Sequence, residues 1–454
     1  MFPGMKNTAG KRSDLRETFR ISITEGVFSQ VYNGLAGPGS VFLTKLLTLL
    51  GASSGQFGIL SATGQLSMVL QPLGALVTRR MTHHRRSTVL WAAAGRIMTP
   101  LLGVIPLLLP SGEALTAVLL VYALSTAVLS VSTNIWTGWI ARMVPLRIRG
   151  RFFARRNSIL VAFGLAVAFV VGIIVDGAGS DSQRLKTIFL VIFSAAGIIG
   201  LAGLRILSTQ PEKPVPPNPL PASRILLEPF RDRNFRKLCL FGVWWMMAVG
   251  IGAPFWQPFM IQVLRMGVTQ MLLYGMTSTV GTVLTLKYWG RLVDRFGNIA
   301  AMKLAIMIGT AVPLIWLFVT PDRLWIIFAE SVISGSMWGC VGIVTANLVL
   351  AVAPEDRVQS YSGLYGAFSG IGMIITMLAS GFLMPKPLCI AGLSLHPMQV
   401  LFLATAFARL SAIIPLSRVD EPNAVPLAAV LNRLRLYSKV RLFDIRVLLG
   451  RKAP

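Results

Sequence analysis

Residues 19–38 read FRISITEGVFSQVYNGLAGP, and residues 235–254 read FRKLCLFGVWWMMAVGIGAP. The same offset of 216 positions holds without a gap from Phe19–Arg80 to Phe235–Phe296. Phe19-Arg20 falls on Phe235-Arg236, Gly26-Val27 on Gly242-Val243, Gly34 on Gly250 and Pro38 on Pro254. Gly51 then meets Gly267, Thr63 meets Thr279, and Gly74, Leu76, Val77 and Arg79 meet Gly290, Leu292, Val293 and Arg295. Apolar stretches match one another by chance, but a shared set of Gly, Pro and Arg at one offset is another matter. Further on the offset drifts to 209, where Pro145 meets Pro354. The chain is therefore a tandem repeat.

Each repeat is built from long apolar runs. The 454 residues are 54% hydrophobic and only 13% charged, about half the charge of a soluble protein. That deficit points to lipid as the solvent, where only helices or closed barrels satisfy every peptide group. The runs lack strand-like alternation and are long enough to cross ~30 Å of hydrocarbon as helices. They fall at 24–49, 56–78, 87–109, 115–141, 157–177 and 187–206, then at 238–261, 270–290, 302–320, 324–350, 361–384 and 397–416. The expected fold is an all-α polytopic membrane protein, with twelve transmembrane helices in two pseudo-symmetric six-helix bundles.

A formal charge of +26 first suggests nucleic acid. Placement argues otherwise. Of the 43 Lys and Arg, 35 fall in segments on one side of the predicted spans and five on the other; Lys45, Arg96 and Arg409 lie inside spans. This is the positive-inside bias of membrane loops, and no basic patch is interleaved with aromatics as a nucleic-acid surface would be. An even number of spans then puts both termini in the cytoplasm, of a bacterial inner membrane given the short loops. The expected organisation is a cytoplasmic segment 1–22, a bundle 23–207, a linker 208–236, a second bundle 237–417 and a tail 418–454. The linker contains QPEKPVPPNPLP (Gln210–Pro221), whose prolines fix an extended chain. The tail alternates Leu, Val and Phe with Arg433, Arg435, Lys439, Arg441 and Arg446, as does an amphipathic helix lying on anionic inner-leaflet lipid. A regulatory partner site is its alternative. Cys239, Cys340 and Cys389 are scattered and give neither a disulfide framework nor metal-ligand spacing. No cofactor or metal is expected.

Six is an even number, so both halves insert with the same orientation and face each other across a central cleft. Rocking of two such bundles about a midplane site is alternating access. The repeat thus argues for a secondary transporter of a small solute, with the proton as candidate coupling ion. A non-transporting scaffold or sensor of the same fold is the rival. An enzyme is disfavoured, because no nucleophile–base pair, His/Asp cluster or phosphate loop is present.

The stretch Gly290-Arg-Leu-Val-Asp-Arg-Phe-Gly-Asn298, between the eighth and ninth predicted spans, resembles the loop signature G-x-L-x-D-R-x-G of the major facilitator superfamily. Gly74-Ala-Leu-Val-Thr-Arg-Arg-Met81 is a degraded copy, with Thr78 in place of the acid. Pro145-Leu-Arg-Ile-Arg-Gly-Arg151 looks like the family's P-x-x-x-R-G-R element. The resemblance implies a cytoplasmic gate formed by Gly74, Arg79, Arg149, Arg151, Gly290, Arg291, Asp294 and Arg295. In it Asp294 accepts hydrogen bonds from a helix N-terminus or an arginine, and Arg291 or Arg295 pairs across the loop. Drug/proton exporters of the family carry an Arg within the fourth span and a Gly-Pro pair within the fifth; both are missing here.

The same resemblance makes spans one, four, seven and ten the walls of the cavity and three, six, nine and twelve the outer layer. It therefore assigns Arg96 and Arg409 structural roles and favours Glu330 and Lys45 as functional groups. Polar residues recur at helical spacing on the cavity spans: Gln30, Asn33, Gly37, Ser40 and Thr44; Ser130, Asn134 and Thr137; Glu330, Ser334 and Trp338. Span eight adds Tyr274, Ser278, Gly281 and Thr285. Each set also reads as helix-packing contacts. The candidate substrate or ion path is Gln30, Asn33, Lys45, Asn134, Gln257, Tyr274, Glu330 and Trp338. Glu330 reads either as the coupling acid or as the static partner of Lys45. The buried cations lean toward an anionic substrate. The tryptophans read as substrate-stacking groups or interfacial anchors.

Overall fold

The computed structural model describes residues 5–78, 81–144, 146–212, 226–354, 357–390 and 393–421. Arg79, Pro145, most of the proline-rich linker and the basic tail from 422 lie outside them.

Helices coincide with all twelve predicted runs. The first span joins Met5–Ala36 to Val41–Leu49, and the second joins Ser54–Gly64, Leu66–Val69 and Gln71–Thr78. Arg85–Ile97 and Leu101–Leu108 form the third; Ser111–Met143, Leu146–Asp176 and Ser182–Leu207 complete the first bundle. The second begins with Arg233–Gly252 and Trp256–Gln262, followed by Val268–Phe296, Asn298–Ile315, Trp325–Val352 and Val358–Phe382. Pro397–Ser411 and Ile413–Leu416 form the twelfth. Among the described residues nine helices are long and apolar enough, by length and composition, to cross a membrane. The other three spans are the interrupted first and second and the Thr- and Gly-rich eighth.

The repeat is visible in the breaks. The first span turns at Gly37–Ser40, where Gly39 takes φ 79°, a conformation open to glycine. The seventh turns through the short 3-10 segment Ala253–Phe255 around Pro254. Pro38 and Pro254, matched in sequence, therefore interrupt the leading span of each bundle at the same depth. Contacts repeat as well. A Cβ on Gly26 would meet Arg156 and Leu160, and one on Gly242 would meet Tyr365 and Ser369, partners related by the 209 offset.

Lipid provides no hydrophobic force between helices, so small residues and close backbones hold the bundles together. Spans eight and ten pack through Gly281 against the Val332 carbonyl and Gly335 against the Ser278 carbonyl. Leu108, Ile198, Val283 and Ile414 turn outward and are largely exposed, as lipid-facing side chains are. The interior holds Phe42, Phe57, Phe189 and Phe193 in one bundle and Phe235, Phe241, Trp245 and Met337 in the other.

With twelve spans the termini share one end of the molecule. At the opposite, far end, a two-stranded hairpin pairs Leu388–Ile390 with Leu393–Leu395. Also at the far end, hydrogen bonds join the bundles. Gln257 Nε2 donates to the Gly39 carbonyl at 2.9 Å, and Thr44 Oγ1 donates to Gln257 Oε1. Asp176, at the end of span five, accepts from the Val268 and Thr269 amides at 2.7 and 2.8 Å, capping the start of span eight.

Candidate functional site

A cavity of about 620 Å³ lies between the bundles, walled by the breaks of spans one and seven and by spans two, eight, nine, ten and eleven. Its aromatic wall is built from Trp256, Trp316, Trp338 and Tyr274. Trp256 stacks on Phe402 at 4.0 Å and meets Trp316 edge-on at 4.7 Å, so these rings are fixed by one another. Thr44, Gln65, Gln257 and Ser334 supply uncharged hydrogen-bonding groups. Among the described residues the one charged lining group is Arg409.

Arg409 reaches the cavity from the twelfth span, a position the sequence reading assigned to the outer layer. Its Nη1 donates to the Gly309 carbonyl at 2.8 Å, and its Nε has no partner among the described residues. The guanidinium lies 5.9 Å from the Trp245 ring centre and 6.0 Å from that of Trp338. Glu330 sits one layer behind the wall, 1% exposed. It accepts from the Tyr274 hydroxyl at 3.2 Å through Oε2, while Oε1 has no partner among the described residues.

A second, smaller cavity of about 220 Å³ lies within the first bundle. Here Glu25 accepts from Ser29 and faces Arg156 at 3.9 Å. Arg156 also donates from Nε to Ser22 and lies over the Trp136 ring at 4.8 Å. Arg96 donates to Ser29 at 2.6 Å and to the Gly200 carbonyl, with the Tyr32 ring 5.1 Å away. The bundles thus mirror each other with the roles exchanged. In the first, an arginine on span three bonds a carbonyl of span six. In the second, an arginine on span twelve bonds a carbonyl of span nine.

The predicted path residues divide between these places. Gln257, Tyr274 and Trp338 line the central cavity, with Glu330 behind it; Gln30 and Asn33 line the smaller cavity. Lys45 lines neither and makes no ion pair with Glu330 among the described residues. That excludes the static pair in this conformation; Tyr274 fills the place the lysine was expected to take. The face of span four also differs from expectation. Leu129, Ser132, Thr133 and Trp136 meet the smaller cavity, whereas Ser130 turns back on the Thr126 carbonyl and Asn134 lies off it.

Among the described residues, the predicted gate residues lie on helix rather than in a loop. Gly290, Arg291, Asp294 and Arg295 occupy the last turns of the helix Val268–Phe296, and the intervening loop shrinks to Gly297 at φ 88°. Asp294 is exposed, and no helix N-terminus or arginine bonds it among the described residues. Arg291 lies over its own neighbour Tyr288 at 6.0 Å. The start of span nine is instead capped by Glu421, which accepts from the Asn298 and Ile299 amides at 2.8 Å each. Glu212 serves span three in the same way, accepting from the His84 amide and from Arg85 at 2.8 Å. Leu207-Ser208 and Glu212 match Leu416-Ser417 and Glu421 at the 209 offset, a signal available in the sequence. Gly74 lies on Gln71–Thr78, and Arg149 and Arg151 lie on Leu146–Asp176; Arg79 is outside the described residues.

Among the described residues no three His, Cys, Asp or Glu side chains gather in a way that would hold a metal ion.

Two six-helix bundles packed around a shared cavity are the architecture of an alternating-access carrier. The chain belongs to the Major Facilitator Superfamily, whose family model matches residues 28–423. It is accordingly a secondary transporter. Solved structures with this fold include a D-xylose-proton symporter, 14% identical, with a TM-score of 0.66 over 90% of this chain and 98% of that one. The inward-open xylose transporter XylE from E. coli is 15% identical, with a TM-score of 0.64 over 91% and 98%. The nucleoside transporter NupG is 13% identical, with a TM-score of 0.59 over 89% and 98%. At these identities the likeness is one of fold. No curated protein matches the chain.

Proposed function

We infer that the chain moves a small organic solute through the central cavity and couples this to a proton carried by Glu330. The observation behind the coupling is the carboxyl group itself. It is buried at the back of the wall, tied to the cavity by the Tyr274 hydroxyl, and has one oxygen with no hydrogen-bond partner among the described residues. A cavity of 620 Å³ falls in the range that small-molecule sites occupy. The relative named as a D-xylose-proton symporter adds a precedent for proton coupling on this fold.

The charge bias supports cytoplasmic termini, and the short loops suit a bacterial inner membrane. On that orientation the far-end hydrogen bonds lie at the outward face. Arg149, Arg151, Arg291, Asp294 and Arg295 then lie at the cytoplasmic gate, and the tail from 418 rests on anionic lipid.

Proteoliposomes loaded with a pH-sensitive dye test the coupling. A panel of sugars, nucleosides, amino acids and organic anions is added outside, and solute-driven proton entry is recorded. Glu330→Gln should abolish proton entry and uphill uptake while sparing exchange of labelled for unlabelled solute. Proton entry at the wild-type rate in that variant removes Glu330 from the coupling.

A further inference from the structure

Resting on the carrier reading, we propose that the solute is an organic oxyanion with an apolar body, its charged group held by Arg409. Three features of the central cavity carry this. First, the cavity has one charged lining group among the described residues, and it is a cation. Second, that cation is under-used by the protein. A guanidinium carries five N–H donors in a planar fork, yet Arg409 is 2% exposed, makes one hydrogen bond, leaves Nε without a partner and forms no ion pair among the described residues. A buried charge of this kind is costly unless something completes it. Glu330 acts on it only at longer range: it accepts from Tyr274 and forms no ion pair with Arg409 among the described residues.

Third, the rest of the wall suits an apolar body. Trp256, Trp316, Trp338, Val312, Met373 and Met377 line the space together. A carboxylate, sulfonate or phosphonate binds a guanidinium fork through two parallel hydrogen bonds, leaving an aryl or alkyl group to lie among those side chains. A neutral sugar would leave the guanidinium unmatched, and a cation would meet it with repulsion.

Paired probes differing only in charge provide the test: phenylacetate against phenylacetamide, hexanoate against hexanamide, with phenylphosphonate as a second oxyanion. Binding is read from tryptophan fluorescence of the purified full chain and from competition with transported solute. The wild type should prefer each acid over its amide by about tenfold, the value of a charged hydrogen bond. Arg409→Gln should bring the ratio to about one, with its melting curve in detergent reporting that the variant is folded. Arg409→Lys keeps the charge without the fork and should fall between the two. Equal binding of acid and amide by the wild type overturns the proposal, as does a wild-type preference in either variant, or no acid bound above its amide across the panel. A neutral solute carried equally by wild type and Arg409→Gln leaves the carrier standing and removes the anion. No carriage of any solute, with the acid preference intact, removes the carrier and leaves the Arg409 site.

Discussion

Removing the Asp176 carboxylate should loosen the far end of the molecule by a measurable amount. Asp176 belongs to one bundle and caps the first turn of span eight in the other, accepting two amide hydrogen bonds at 2.7 and 2.8 Å. An acid at an exposed helix N-terminus contributes about 0.3–1 kcal/mol, and each hydrogen bond adds a net contribution on the order of 1 kcal/mol. Because these bonds exist only while the bundles meet, their loss acts on the closed state alone. With screening of an exposed acid allowed for, Asp176→Ala should cost the closed state about 1–2 kcal/mol, a shift of about 5- to 30-fold in the closed-to-open ratio. Asp176→Asn, which keeps an acceptor and loses the charge, should give the lower figure. The reporter is Ser61→Cys, on the cavity wall, in a Cys389→Ser background that removes the exposed native thiol. Its labelling by a membrane-impermeant maleimide from the far side should accelerate by that factor, and the acceleration should shrink with the wild-type difference as salt is raised. An unchanged labelling rate in Asp176→Ala would refute the idea that this cap holds the bundles together.

Three further outcomes follow from the packing and the caps. Glu421→Gln and Glu212→Gln should each weaken a helix N-terminus by about 1 kcal/mol and lower the melting temperature by about 2 °C; an unaltered melt in both would remove them as clasps. Gly335→Ala forces a methyl group into the Ser278 carbonyl and should cost about 1–3 kcal/mol, read as reduced thermal stability in detergent, with Gly342→Ala, whose Cβ meets nothing, as the neutral control. His396 uses Nδ1 to accept from the Met398 amide at the start of span twelve, and burial lowers its pKa below the ordinary 6.5. A lowered pKa means the unfolded chain binds the proton more tightly, so this stabilisation is present above about pH 6.5 and is lost as pH falls through the folded value. His396→Asn, which caps without titrating, should flatten the part of the stability–pH curve between 7 and 5; an identical curve would show that His396 does not contribute.

The spans and the tandem repeat were legible because each rests on residues that act locally: long apolar runs, and the matched Pro38 and Pro254 that break the leading spans. Loop and helix were harder to separate. Gly290 to Arg295 looks like a polar loop, yet the helix of span eight runs on to Phe296, since Arg and Asp at a helix end outside the membrane cost little. The site was less legible for a different reason. Tyr274, Trp338 and Glu330 were singled out by helical spacing, which reports the face of one helix, and Gln257 as a lone polar residue in a span. Arg409 was placed in the outer layer yet lines the central cavity beside Trp338, a tertiary fact that spacing does not carry. Lys45 likewise lines neither cavity, which its place in one helix could not reveal. The caps from Asp176 and Glu421 join residues far apart in the chain, and of these Glu421 alone had a sequence trace, its repeat partner Glu212.

Glu212 precedes the 213–225 connector, and Glu421 precedes the basic tail. Each clasp is therefore closed by residues of its own half, and neither borrows a group from across the connector. The two halves are in this sense self-sufficient parcels. A gene split within the codons for 213–225 would yield two polypeptides that each retain an intact clasp, an intact guanidinium–carbonyl bond and one side of the far-end seam. Expressed together, they should find each other in the bilayer and carry solute without a covalent bond between them.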